Sequence, residues 1–285
     1  FEDLKFPRPT RESLAGDYAT INALLDQGDH TGALDAFDDV RRRFDSWAAL
    51  VHLQFSRHTA DEAVAAERDY ADTLSPVATE HEVALKRRLL AERPKLEAVV
   101  GPYIAQLWDA DITTFDPRIV KDLEEEARLS AEYTALLASA KIPFDGGELN
   151  LSGLAPYQQS LDREVRHAAE KARWAFFEQH GPKLDDLFDR LVKLRTGMAK
   201  TLGFSTYTPL GYRRMRRTDY GPAEVASFRD RIALRVTPLV QSLLSHRALE
   251  MGWGKAMAWD EALIDPAGNP APAGDYDLLI RRAQE

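Results

Sequence analysis

Apolar residues recur along this chain at helical spacing. Phe37, Val40, Phe44, Trp47 and Val51 follow one another at alternating intervals of three and four, while Asp38, Arg41, Arg42, Arg43 and Asp45 fall mostly off that line. Such a stripe predicts an amphipathic helix with one face in a core, and large aromatics on that face are the usual carriers of buried area. Asp61 to Arg93 reads the same way, with Pro76 as an expected kink or break into two helices, because proline removes a helix hydrogen bond and crowds the preceding turn. Asp116-Pro117 reads as a cap followed by proline at the first helical position; it opens a helix through Lys141 that carries Leu123, Ala127, Tyr133 and Leu137 and cannot include Pro143.

Between Ile142 and Leu154 the period changes. Asp145-Gly146-Gly147 separates two short extended runs, the second bearing Leu149 and Leu151, and predicts a small hairpin because glycine tolerates the positive φ of its turn. Helical spacing returns from Asp162 through Ala169, Trp174 and Phe177 to Gly181-Pro182, a stop signal. A further helix is expected from Lys183 to Leu202, with Leu187, Leu191, Leu194, Met198 and Leu202 on one side and Gly203 past its end. Pro222 begins another, reaching about Met251; Trp253, Met257 and Trp259 then precede a proline- and glycine-rich loop, Asp265 to Gly274, and a last helix starts near Tyr276. No internal repeat, heptad array or low-complexity tract is present. The expected fold is mainly α, long amphipathic helices in bundle-like packing with one β-hairpin at 142–154. Its expected parts are an N-terminal helical region, 1–141, and a hairpin plus helices, 142–285.

With 285 residues, 44% of them apolar and 29% charged, the chain falls in the globular range. A net charge of -9 disfavours phosphate backbones, so nucleic acid is not an expected partner. The lack of cysteine rules out disulfides, thiolate nucleophiles and cysteine-ligated zinc, and suits a reducing cytoplasm. No basic start leads into an apolar core, and no window approaches about 18 uninterrupted apolar residues. A soluble cytoplasmic protein without a membrane partner is therefore expected, and its opening at Phe1 suggests a trimmed piece.

Candidate chemistry is sparse. Only His81 is followed by glutamate, and His81-Glu82-Val83-Ala84-Leu85 places leucine where a zinc-binding His-Glu-x-x-His needs its second histidine. There is no Gly-x-Ser-x-Gly elbow and no Gly-x-x-x-x-Gly-Lys loop. Glu124-Glu125-Glu126 points around a helix rather than at one atom, and reads as a solvated face. Arg213-Arg214 and Arg216-Arg217 lie between Tyr212 and Tyr220; guanidinium groups can clamp a peptide carboxylate, although such runs are more often surface or domain-contact charge.

Ordered pieces of the chain resemble oligoendopeptidase F and the zinc oligopeptidases of the thimet oligopeptidase type. They are Asp162-Arg163-Glu164-Val165-Arg166 with Ala169; then Arg195, Ala199, Leu202, Gly203, Phe204 and Tyr207; then Met215, Asp219 and Tyr220; and last Phe228, Pro238 and Trp259-Asp260. The resemblance implies a bowl-like helical metallopeptidase whose N-terminal helices roof a channel for short peptides. It also implies a zinc ion held by two histidines and a glutamate, with water activated between them. None of these ligands can be placed here, so no catalytic or metal-binding residue is assigned: zinc is expected in the full-length enzyme and not on this chain. The expectation is the N-terminal part of such an enzyme, inactive alone, whose partners are oligopeptides and the remaining catalytic part of the same polypeptide. Tyr207, Tyr212, Arg213, Arg216 and Tyr220 are the candidate channel-lining residues, because phenols and guanidinium groups can hydrogen-bond peptide ends. A helical binding or scaffold module related to peptidases, without chemistry of its own, is the alternative.

Overall fold

A computed structural model describes residues 4–285. In chain order its helices are α1 (Arg11–Asp26), α2 (His30–Arg57), α3 (Glu62–Ala91), α4 (Arg93–Val100), α5 (Pro102–Asp111) and α6 (Val120–Ala138), followed by strands β1 (Ile142–Phe144) and β2 (Gly147–Leu149). Then come α7 (Ala155–Gln158), α8 (Arg163–Thr201), α9 (Tyr207–Arg214), α10 (Pro222–Arg231), α11 (Thr237–Glu250) and α12 (Tyr276–Gln284). The fold is mainly helical with one small antiparallel hairpin, and no helix among the described residues is long and apolar enough to cross a membrane.

The chain divides into two compact units, each assembled from two stretches of sequence: Phe1–Ala138 with Pro182–Val225, and Ser139–Gly181 with Ala226–Glu285. A single cut at 141/142 cannot express that interleaving, because the returning segments are far away in sequence.

In the first unit, α1 to α5 enclose a core. Leu14, Tyr18, Ile21, Phe37, Trp47, Leu74, Leu85 and Trp108 are all buried there, so the stripe on α2 faces inward. The ring of Phe37 meets Trp108 edge-on with centroids 5.9 Å apart, and Trp47 meets Tyr70 likewise at 6.1 Å, the geometry aromatic quadrupoles favour. Local chemistry sets the helix starts. The Thr10 hydroxyl accepts from the Ser13 amide, Asp29 accepts from the Gly32 amide at 2.8 Å, and Asp61 accepts from the amides of Ala63 and Val64. Between α4 and α5, Gly101 takes φ of +80°, and Pro102 opens the next helix where its missing N–H costs nothing.

Three proline signals resolve differently from their sequence reading. α3 runs unbroken through Pro76 and α8 through Pro182. An interior proline costs about 3 kcal/mol. Burying a single leucine contributes about 1.5–3 kcal/mol, and Leu74 and Leu85 lie fully buried on either side of Pro76. Core contacts thus outweigh the lost hydrogen bond. Beyond Pro222 the expected single helix is interrupted at Ile232–Val236 by a wider turn, in which the Thr237 amide reaches back five residues to the Ile232 carbonyl. Pro238 is the physical reason, since it cannot donate to Leu234 and its ring crowds that carbonyl.

The hairpin belongs to the second unit and pairs Ile142 with Leu149 and Phe144 with Gly147. Asp145 and Gly146 both have positive φ, 51° and 74°, the combination a two-residue primed turn requires. Phe144 packs edge-on against Tyr157, whose hydroxyl donates to Asp145 at 2.9 Å, which anchors the turn. Leu151 lies past the end of β2 and leads into a short 3₁₀ turn at Ser152–Leu154.

Candidate functional site

Two successive helix ends in the first unit present the candidate residues. α8 stops in a left-handed turn at Gly203, φ +86°, where the Phe204 amide donates to the Ala199 carbonyl at 2.8 Å and the Gly203 amide to Lys200 at 3.0 Å. α9 stops in the same pattern: the Arg217 amide donates to Tyr212 at 3.0 Å and the Arg216 amide to Arg213 at 2.8 Å. Here, however, the left-handed position holds Arg216, φ +52°, instead of glycine. A side chain in that conformation costs about 1–2 kcal/mol.

The guanidinium of Arg216 shows what that side chain does. It donates twice to Asp111, at 2.9 and 3.0 Å, and Asp111 also accepts from Lys86, a lysine only 1% exposed that pairs with Glu82 as well. The carboxylate at the end of α5 thereby joins α3 to the segment after α9. A second clamp lies nearby. Glu126 on α6 accepts from Arg195 of α8 at 2.6 Å and from Arg214 of α9 at 2.7 and 3.1 Å, and Arg214 also donates to the Tyr207 hydroxyl at 3.2 Å. Burial by itself would raise the Glu126 carboxyl; hydrogen bonds from Arg214 and Arg195 outweigh it and hold the group below its ordinary value. Beneath this clamp Ile119, Met198, Ala199 and Leu210 form a small core.

The five candidate residues therefore occupy four settings. Tyr207 joins the Glu126 clamp, with Arg195 stacked 5.9 Å from its ring. Tyr212 and Tyr220 flank the Arg217 guanidinium at 4.5 and 5.4 Å. Arg213 is exposed, with one weak 3.4 Å bond to Thr113, and Arg216 is held by Asp111 while lining a cavity of about 410 Å³. Another cavity, about 400 Å³, lies between α3 and α6 and is lined by Asp72, Ser75, Pro76, Glu126, Arg195 and Arg214.

Sequence reasoning missed Glu126 and Lys86. Glu126 is 7% exposed, so only part of the Glu124-Glu125-Glu126 run is a solvated face; Glu125 meets Arg128 and Arg190 nearer the surface. Its arginine partners lie 69 and 88 residues away, so no local signal identified it. Lys86 lies one turn from Glu82, which in sequence resembles an ordinary surface pair. His81, the one histidine followed by glutamate, stacks on Tyr18 with centroids 5.1 Å apart, and no group of three potential metal ligands occurs among the described residues.

The second unit contains a third clamp. Asp260 is 1% exposed and accepts from Arg166, also 1% exposed, at 2.8 Å and from Arg163 at 2.8 and 3.1 Å. It also accepts from the Met257 amide at 2.9 Å, Trp253 lies against both guanidinium groups, and Trp259 stacks on His167 at 4.0 Å.

Comparison with known proteins agrees with this architecture. Residues 1–115 match the peptidase M3 N-terminal domain, and residues 156–265 match peptidase family M3. A crystal structure assigned as an oligoendopeptidase F from Bacillus anthracis str. Ames superposes with a TM-score of 0.92 at 33% identity, over 100% of this chain and 53% of that one. PZ peptidase A, solved with an inhibitor, gives 0.94 at 33% identity over 99% of this chain and 51% of its own. An oligoendopeptidase F from Enterococcus faecium, 17% identical, shares the fold with a TM-score of 0.67 over 97% of this chain and 59% of that one. No curated protein gives a significant match. The chain belongs to peptidase family M3, in the company of oligoendopeptidase F, and spans about half the length of the solved structures it matches.

Two measurements probe the clamps. Arg216→Gly relieves the left-handed backbone that Arg216→Ala retains, while both remove the guanidinium. In urea unfolding the glycine variant is expected to be more stable than the alanine variant by about 1 kcal/mol; equal stabilities would mean that position 216 carries no backbone cost. Glu126 gives a pH signature. Its folded value is depressed, so its stabilisation is complete above the unfolded value of about 4.3 and is lost as pH falls through the folded value. Glu126→Gln should be less stable than the parent by about 1.5–3 kcal/mol at neutral pH, with a gap that closes as pH drops below about 4; a gap independent of pH would exclude the charged clamp.

Proposed function

We propose that this chain is the N-terminal, substrate-channel-covering part of a cytoplasmic zinc-dependent oligoendopeptidase that hydrolyses short peptides. The observation that carries this reading is 33% identity to oligoendopeptidase F and PZ peptidase A structures, maintained across essentially all of these 285 residues. A second observation supports the remaining catalytic part as a partner. Along α10, α11 and the wider turn between them, Phe228, Leu234, Leu239, Leu243 and Leu249 are 59–78% exposed, an apolar run that further polypeptide would cover favourably.

Zinc chemistry requires three protein ligands and an open water position. The described residues do not fit that requirement, because no such trio of side chains converges among them. No step of hydrolysis is therefore assigned to this chain. Its proposed part is to bind and enclose the peptide, with Tyr207, Tyr212, Arg213, Arg216 and Tyr220 as candidate contacts.

The test is a quenched fluorescent oligopeptide assay with metal analysis, run on the 285 residues and on the polypeptide extended through a downstream His-Glu-x-x-His. The expected outcome is chelator-sensitive cleavage by the extended protein and none by the 285 residues. Cleavage by the shorter chain, or an extension without that motif and without activity, contradicts the proposal; the latter favours a helical binding module.

A further inference from the structure

The 410 Å³ cavity between α2 and α5 falls within the roughly 300–1,000 Å³ typical of small-ligand pockets, and it combines apolar walls with a few charged groups. Phe37 and Trp108, 4% and 8% exposed, form one wall, and Leu34, Val100, Ile104 and Leu107 add aliphatic surface. The polar lining consists of Asp38 and two guanidinium groups, Arg41 and Arg216.

Hydrogen-bonding capacity separates these groups. Arg216 spends two of its five donors on Asp111, which fixes the guanidinium plane and leaves three donors. Arg41 makes no hydrogen bond among the described residues; its one ion pair there is an approach to Asp38 at 3.8 Å. Asp38 is engaged more closely by Arg42, at 3.1 Å, and Glu82 and Asp111 are engaged by Lys86. Asp45, on the same helix as Arg41, does not line the cavity, but its carboxylate lies close enough to attract both Arg41 and Arg216 without hydrogen-bonding either. An apolar recess whose rim carries two guanidinium groups with spare donors matches a molecule with an apolar body and a carboxylate end. The left-handed backbone at Arg216 fits that use, because glycine would satisfy the turn without supplying a guanidinium.

We propose that this cavity binds the C-terminus of a peptide, its last apolar side chain against Phe37 and Trp108 and its free carboxylate on Arg41 and Arg216. The choice of a peptide rests on the oligopeptidase reading above; the choice of an apolar carboxylate rests on the lining alone.

The test is isothermal titration of the 285-residue chain with N-acetyl-Ala-Leu-Phe, its C-terminal amide, and 3-phenylpropionate, which carries the same ring and carboxylate without peptide groups. The acid should bind saturably and about tenfold or more tighter than the amide. Arg41→Gln should bring the acid down to the level of the amide, and Arg42→Gln, which does not line the cavity, should leave the tenfold preference in place. Absence of saturable binding, equal binding of acid and amide, or an Arg42→Gln effect as large as that of Arg41→Gln would each overturn the site. Phenylpropionate binding as tightly as the peptide would overturn the assignment to peptides. Binding that persists while the extended polypeptide cleaves nothing removes the peptidase reading alone; cleavage without this binding removes the cavity alone.

Discussion

A carboxylate withdrawn from water and gripped by two cations is the arrangement on which both units depend. It occurs at Glu126 with Arg195 and Arg214, at Asp111 with Lys86 and Arg216, and at Asp260 with Arg163 and Arg166. Desolvating such a group costs several kcal/mol, and a single partner seldom recovers that. Two partners with directed hydrogen bonds can, and the geometry they demand is narrow. Each clamp also joins segments distant in sequence, with separations of 69, 88, 94, 97 and 105 residues between paired groups. Apolar packing gives the helices a place to lie, whereas the clamps specify which segments meet.

This accounts for the part of the structure the sequence revealed. Local signals were sufficient for helix faces, caps and the hairpin: the stripe on α2, the Asp116-Pro117 start and the Asp145-Gly146 turn all concern residues within a few positions of one another. Pro76 and Pro182 were misleading as breaks because the deciding term, burial of residues such as Leu74, Leu85 and Leu187, belongs to tertiary packing. Glu126 and Lys86 were invisible as buried charges because their partners across the fold cannot be read from neighbouring residues. The interleaving of the two units is hidden for the same reason.

Several of the residues that carry the resemblance to oligoendopeptidase F serve the framework. Arg163, Arg166 and Asp260 form one clamp, Arg195 belongs to another, and Gly203 with Phe204 closes the end of α8 above the core of Met198, Ala199 and Leu210. In this chain those residues hold long helices together. α9 and the segment after it carry the candidate contacts, and they are positioned by Arg214 and Arg216, alternate residues anchored to different helices. Arg213 and Arg217, between and after them, project away from those anchors, one exposed and the other between two tyrosine rings.

A double-mutant cycle on Glu126 and Arg214, read by urea unfolding at neutral pH, tests most directly whether the clamps hold the fold together. If they do, the paired substitution is less damaging than the sum of Glu126→Gln and Arg214→Gln, with a coupling of about 2 kcal/mol. Additivity within about 0.5 kcal/mol would mean that the two charges merely sit side by side.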